Sequence, residues 1–203
     1  EFRRVLFRSP TLLAHGTPAQ RERFLPRILD ASEIWCQLFS EPGAGSDLTS
    51  LTTTARPVDG GFVLNGQKVW TSYAQFADWG WCLARTDADA PGARGISALV
   101  IDMHAPGVEV RPLRQLTDER EFNEVFLTDV FVPDDHLVGP REEGWRIANS
   151  TLTHERGVNP RQLVIHTQLL DELWREAGAS GALADDRLAA RLAQAFVEVR
   201  IFQ

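Results

Sequence analysis

The sequence predicts an α+β fold, an antiparallel β-barrel or sandwich over residues 34–140 with helices on either side of it. Short apolar runs rich in Val, Ile, Leu, Phe and Trp recur between residues 34 and 137. Gly, Pro, Asn and Asp punctuate them at even spacing, the pattern of an antiparallel sandwich or barrel. No helical stretch separates these runs, so there is no βαβ unit. Before residue 30 and after residue 140 the apolar period lengthens to that of amphipathic helices.

Residues 1–9, EFRRVLFRS, are basic, join no pattern and are set aside as non-native sequence. Thr17-Pro18-Ala19-Gln20 opens a helix: Thr17 caps it, Pro18 suits the first helical position and Gln20 completes a capping box. Phe24, Leu25, Ile28 and Leu29 form one face, with Arg21, Glu22, Arg23 and Arg27 mostly on the other. A strand over 34–39 stops at Ser40-Glu41-Pro42, because Pro cannot continue a ladder. Gly60-Gly61 separates strands at 52–58 and 62–65 as a hairpin would, and Asn65-Gly66 makes a second turn before 67–72.

Strands follow at 79–85, at 96–102 and, after the Pro106-Gly107 turn, at 108–114. Over 124–131, Val125, Leu127 and Val130 lie among Glu124, Thr128 and Asp129. Residues 143–177 read as helix, with Pro160 expected to kink or divide it. After a break at 178–181, Asp185 or Asp186 opens a last helix with Leu188, Leu192, Ala195, Phe196 and Val199 on one face. That helix meets no stop signal before Gln203, so its domain is expected to continue.

The chain has 203 residues, 43% hydrophobic and 24% charged, which is ordinary for a globular protein. A net charge of −7 disfavours nucleic acid and anionic membrane surfaces as partners. No apolar run is long enough for a membrane span and no signal peptide is evident, so a cytoplasmic location is expected. Cys36 and Cys82 sit in apolar runs and read as small buried hydrophobes, not as a disulfide or metal ligands. No metal site is expected.

Gly43-Ala44-Gly45-Ser46-Asp47 follows the first strand as a polar loop whose glycines let a ligand approach the main chain. Such a loop suits a nucleotide-like cofactor, although most are simply turns. It is neither a P-loop nor a G-x-G-x-x-G fingerprint, lacking the Lys-Ser/Thr of one and the third glycine of the other. Taken alone, Ser46 is either a ligand contact or a local cap, Trp70 is a core aromatic, and Glu155 is a surface partner of Arg156 or Arg161. His154 reads as structural, and Asp47 as a cap.

Three stretches stand in one order: SEPGAGSD at 40–47, NGQKVWTS at 65–72 and LTHERG at 152–157. With PGV at 106–108, VFVP at 130–133 and Gly144-Trp145, they resemble the acyl-CoA dehydrogenase family over residues 10–203. The phrasing is most similar to bacterial branches that act on sterol side-chain and terpenoid acyl-CoAs. The resemblance implies a subunit of two helical domains around a middle β domain. Residues 1–33 would then hold the last helix of a truncated N-terminal domain, 34–140 the middle domain, and 141–203 the start of a C-terminal helical bundle.

It also implies an FAD-dependent oxidoreductase that converts an acyl-CoA thioester to the trans-2-enoyl-CoA. A carboxylate removes the α-proton and the flavin accepts the β-hydrogen as hydride. The positions matching flavin contacts are Leu38, Phe39, Ser40, Gly45, Ser46, Trp70, Thr71 and Ser72, with Trp70 packed beside the ring. Ser46, Leu152, Thr153 and Arg156 match positions that meet the acyl-CoA. Glu155 matches the base of the isovaleryl and long-chain branches; elsewhere in the family that glutamate would fall beyond Gln203. An electron-transfer flavoprotein as acceptor and a homotetramer or hetero-oligomer are implied as partners. The alternatives are a catalytically inactive partner subunit, and an acyl-CoA oxidase or flavin monooxygenase on the same scaffold.

Overall fold

The computed structural model describes residues 8–156 and 160–201, with side chains for 9–154 and 164–201. It comprises two compact units, residues 1–154 and 155–203.

The first unit opens with α1 (Arg8–His15) and α2 (Pro18–Leu29). The N-terminus of α2 forms as the sequence requires: Thr17 accepts from the Gln20 backbone N–H at 3.1 Å, and Gln20 Oε1 accepts from the Thr17 N–H at 3.0 Å. The buried face of α2 is Gln20, Phe24 and Ile28, whereas Leu29 is exposed. Gln20 takes that place because its amide donates to the Asp135 and Leu137 carbonyls at 2.6 and 2.9 Å, which compensates its burial. The residues set aside at the N-terminus include Arg8 and Ser9, which are the first turn of α1. The eight residues of α1 have too short an apolar pattern for periodicity to reveal them.

Eight strands follow: β1 (Trp35–Leu38), β2 (Thr54–Val58), β3 (Gly61–Ser72), β4 (Trp79–Arg85), β5 (Ile96–Asp102), β6 (Val108–Pro112), β7 (Phe122–Pro133) and β8 (Leu137–Val138). They form one sheet in the order β6-β7-β3-β2-β4-β5-β8, with β1 added against β4. Most pairings are antiparallel, as short strands joined by turns require. Two are parallel: β1 lies along β4 from Trp35↔Trp79 to Leu38↔Cys82, and β2 meets β4 at Thr54↔Arg85. β1 and β2 therefore share one edge of β4, one after the other. The segment that links them, residues 39–53, runs over that junction.

Asn65-Gly66 is not a turn. β3 runs through it as one twelve-residue strand, with a register shift against β7 between Leu64 and Gly66. The pair Asn65 and Asp129 bonds reciprocally across the ladder, at 2.9 and 3.0 Å. A Cβ on Gly66 would lie 2.7 Å from Thr53 Cα, so the glycine serves close backbone approach.

The core has two layers because β4 and β5 are buried on both faces. Trp81, Leu83, Ile96, Ala98 and Val100 pack with Leu12, Phe24, Ile28, Ile147 and Ala148 of the helices. Their neighbours Cys82, Ala84, Leu99 and Ile101 pack with Phe62, Leu64, Val125, Leu127, Val130 and Val132, so the sheet wraps around a second apolar interior. Cys36 and Cys82 are both buried in that interior and form no disulfide with each other. α3 (Gly144–Arg156) begins where Gly144 closes on β5; a Cβ there would meet the Ser97 backbone at 2.4 Å.

In the second unit, α4 (Pro160–Ala179) and α5 (Asp186–Ile201) form a pair joined through a turn with Gly181 at φ 74°. Pro160 is the first residue of α4, where its missing N–H costs nothing; residues 157–159 before it lie outside the described residues. Asp185 is the cap of α5, its carboxylate accepting from the Arg187 and Leu188 N–H groups at 2.8 and 3.3 Å. Leu170, Ala177 and Leu192 are the buried apolar residues among those described there.

Candidate functional site

The first candidate segment leaves β1 at Phe39 and turns at once. Glu41 and Ala44 exchange backbone hydrogen bonds of 2.9 and 3.1 Å around Pro42-Gly43. Ala44 and Leu48 anchor the loop in the helix-facing core beside Phe39. Gly45 and Ser46 between them are exposed, and their backbone N–H groups have no partner among the described residues. Nothing lies within 4 Å of a Cβ built on Gly45, so the main chain there is open to a ligand. The Ser46 hydroxyl caps no local N–H among the described residues. Asp47 precedes a short 3-10 turn and accepts from the Thr49 hydroxyl at 2.7 Å.

The second segment is the end of β3. Its register against β7 shifts between Lys68 and Thr71, and Trp70 at the shift has φ 58°. An aromatic residue in the left-handed region is strained, at a cost on the order of 1–3 kcal/mol. The bulge turns the side chain outward. Trp70 is 63% exposed and touches Phe122 edge-on at 6.1 Å. Residue type alone makes Trp70 a core aromatic; the bulge reverses that. Beside it lies a groove of about 460 Å³ lined by Trp70, Leu113, Arg114, Leu116 and Phe122, among others.

Thr71 is buried at 1% exposure, and its hydroxyl has no hydrogen-bond partner among the described residues. Its carbonyl accepts from Asn123 Nδ2 at 2.9 Å. An unpaired buried hydroxyl is costly, and Asn123 Oδ1 on the neighbouring strand is likewise without a partner among the described residues. Ser72 is exposed at the strand end.

One buried ion pair joins the two segments. Lys68 is 0% exposed, and its ammonium donates to Glu41 Oε1 at 2.8 Å, the Leu83 carbonyl at 2.7 Å and the Phe39 carbonyl at 3.3 Å. Glu41 accepts in addition from the Thr53 N–H at 3.0 Å, the Thr52 N–H at 2.6 Å and the Thr52 hydroxyl at 2.9 Å. Burial alone would raise the Glu41 carboxyl, but the Lys68 charge and these donors outweigh it and hold it at about 2. Burial pushes the neighbouring Cys82 thiol up to about 11, Lys68 opposing and Glu41 adding to the rise. The Ser40 carbonyl accepts from the Val69 N–H at 2.9 Å, closing the junction.

The structure thus brings Leu38, Phe39 and Ser40 together with the stretch that leads into Trp70, Thr71 and Ser72. Leu38 and Phe39 are buried, Leu38 in the interior the sheet wraps and Phe39 in the helix-facing core. Leu152 packs on the core cluster that includes Phe39, Ala44 and Leu48, and the Thr153 hydroxyl bonds back to the Asn149 carbonyl at 2.8 Å. The backbone of Glu155 and Arg156 closes α3. Their side chains, and Gly157, lie outside the described residues.

The residue that motif reading passes over is Lys68. A signal for it exists: Phe62, Leu64 and Lys68 share the parity of the core-facing positions of β3.

The open loop at Gly45 and Ser46 and the segment with the exposed Trp70 and the buried Thr71 are joined through the Lys68–Glu41 pair and the Ser40–Val69 backbone bond. A family model described as "Acyl-CoA dehydrogenase, middle domain" matches residues 36–130, and the chain belongs to the acyl-CoA dehydrogenase family. The acyl-CoA dehydrogenase FadE34 of Mycobacterium tuberculosis is 59% identical over 148 residues, which are 73% of this chain and 21% of that protein. The acyl-CoA dehydrogenase IpdE1 of the same species is 46% identical over 192 residues, 94% of this chain and 50% of its own length. A solved structure named Tcur3481-Tcur3483 steroid ACAD superposes with a TM-score of 0.82 at 31% identity, covering 97% of this chain and 51% of that one. The chain spans half or less of the length of these curated relatives.

Proposed function

We propose that the protein is an FAD-dependent oxidoreductase that α,β-dehydrogenates an acyl-CoA thioester to the trans-2-enoyl-CoA. The observation that carries this reading is the buried, unpaired Thr71 hydroxyl beside the outward-turned Trp70, tied to the loop of Gly45 and Ser46. These residues fit a flavin. Trp70 offers an apolar face, and Ser40, Thr71 and Ser72 offer hydroxyls to a polar ring edge. The Gly45 and Ser46 N–H groups suit an anionic or carbonyl-rich portion, because backbone donors in a loop favour negative charge. When bound, FAD would supply the two-electron acceptor that no side chain provides.

Glu155 would take the α-proton, and Ser46, Leu152, Thr153 and Arg156 would bind and orient the thioester. Residues 34–140 act as the middle domain, between helices at 1–33 and 141–203. The relative named a steroid ACAD makes sterol-derived acyl chains the class to test first. An electron-transfer flavoprotein is the proposed acceptor and a homo- or hetero-oligomer in the cytoplasm the working form. No helix among the described residues is long and apolar enough to cross a membrane.

A visible absorbance scan of the purified full-length protein, followed by anaerobic titration with acyl-CoAs, tests the reading. The expected outcome is a yellow protein that bleaches with a preferred acyl-CoA. A protein colourless even with FAD added overturns it. Bleaching followed by rapid recolouring when air is admitted identifies an oxidase, and flavin without bleaching identifies an inactive partner subunit. Glu155→Gln should keep its flavin and lose turnover by about 10²–10⁴-fold; undiminished turnover would move the base elsewhere.

A further inference from the structure

We propose that Lys68 and Glu41 are positioning residues for the flavin site, one buried pair that sets the spacing between the loop at 40–46 and the segment at 70–72. The inference rests on the flavin reading above and assigns to this pair what neither segment does alone.

Every polar atom of the pair is engaged within the protein. The three protons of the Lys68 ammonium meet Glu41, the Leu83 carbonyl and the Phe39 carbonyl. Both Glu41 oxygens are taken by Lys68 and by the backbone or hydroxyl of Thr52 and Thr53. Neither residue has an atom left for a ligand, so any influence on a ligand passes through what they hold.

Stability does not explain them. Taking two charges out of water is expensive, and an apolar pair of similar volume is often as stable or more so. What an apolar pair lacks is direction. The Lys68 ammonium fixes the end of β1 at Phe39, one residue before Ser40, and Glu41 is the residue after it. On the other strand Lys68 stands two residues before Trp70, and the Ser40–Val69 backbone bond lies between. The third anchor, Leu83, belongs to β4, which is buried on both faces. Both segments therefore hang from one point on the rigid sheet. The left-handed Trp70 and the unpaired Thr71 hydroxyl follow immediately where the strand leaves that point.

The test uses the full-length protein and three readouts: the thermal melt of the flavin-free form, FAD affinity by titration, and hydrogen exchange at the Val69 amide. In the double variant Glu41→Gln/Lys68→Met both charges are removed together. We expect it to fold, to exchange Val69 faster, and to bind FAD about 10-fold more weakly or worse, the scale on which supporting partners of a bound group act. A folded double variant with wild-type FAD affinity overturns the proposal. If the double variant does not fold, Lys68→Arg decides, since it keeps the charge but changes the reach. Weaker FAD binding in a folded Lys68→Arg protein supports positioning, and unchanged binding refutes it. A wild-type protein that takes up no FAD defeats the flavin reading instead. Val69 exchange then still reports whether the pair holds the loop, and unchanged protection in the double variant refutes that as well.

Discussion

The β-rich unit and the α4–α5 pair solve burial in opposite ways. In the first, β4 and β5 are covered on both faces, and Trp81, Leu83, Leu99, Val100 and Ile101 are sealed from solvent. In the second, Val164, Leu169, Leu173, Trp174, Phe196, Val197 and Ile201 remain exposed, although both helices are amphipathic in sequence. Periodicity tells that a face is apolar; it does not tell whether that face is covered. Interior packing therefore stabilises the first unit, while the described residues of the second bury only a narrow apolar seam through Leu170, Ala177 and Leu192.

Four measurements would break or sharpen that contrast. The largest effect should come from Lys68→Met alone, which strands the Glu41 carboxylate inside the protein. It should cost about 3–5 kcal/mol in urea unfolding followed by a probe of the sheet. A loss below about 1 kcal/mol, the scale of an exposed ion pair, would show that the pair is not buried in solution.

Next, Leu99→Ala removes a fully buried side chain and should cost about 2–5 kcal/mol by the same assay. Acid should act on the same unit. The Glu41 carboxyl is held at about 2 when folded, below the 4.5 of a free glutamate side chain. Its contribution is thus fully present above pH about 4.5 and is lost as pH falls towards 2, on the order of 3 kcal/mol in all. A sheet signal with equal stability at pH 5 and pH 2.5 would contradict it. The smallest effect should be Leu173→Ala, at an exposed site on α4: within about 0.5 kcal/mol of wild type. A cost of 2 kcal/mol or more there, about what a buried leucine gives, would show the face to be covered in solution.

The same contrast explains what was legible in the sequence. Turn chemistry and caps are local, so Thr17-Pro18, Gly60-Gly61, Pro106-Gly107 and the strands over 79–85 and 96–102 read directly. Asn65-Gly66 misleads because the dipeptide favours a hairpin turn, whereas here it runs inside β3 opposite a bulge in β7, and only the partner strand shows this. Trp70 reads as core by residue type, yet a one-residue register shift in β3 turns it outward. The parallel β1–β4 pairing joins strands some 40 residues apart, beyond any local pattern. In the candidate site the glycine–serine loop was visible as a motif. The Lys68–Glu41 pair was not, because its partners lie 27 residues apart and a lysine in a strand ordinarily faces water.

The two cysteines have a practical consequence. Cys36 and Cys82 are both sealed in the interior that the sheet wraps. A thiol-directed maleimide at neutral pH should therefore count no reactive groups on the native chain and two on the unfolded one. Any single cysteine placed on the surface becomes a unique handle for a dye or spin label, with no native thiol to remove first. The two silent thiols become a clock as well, since the rate at which they appear to the reagent times how often the β interior opens.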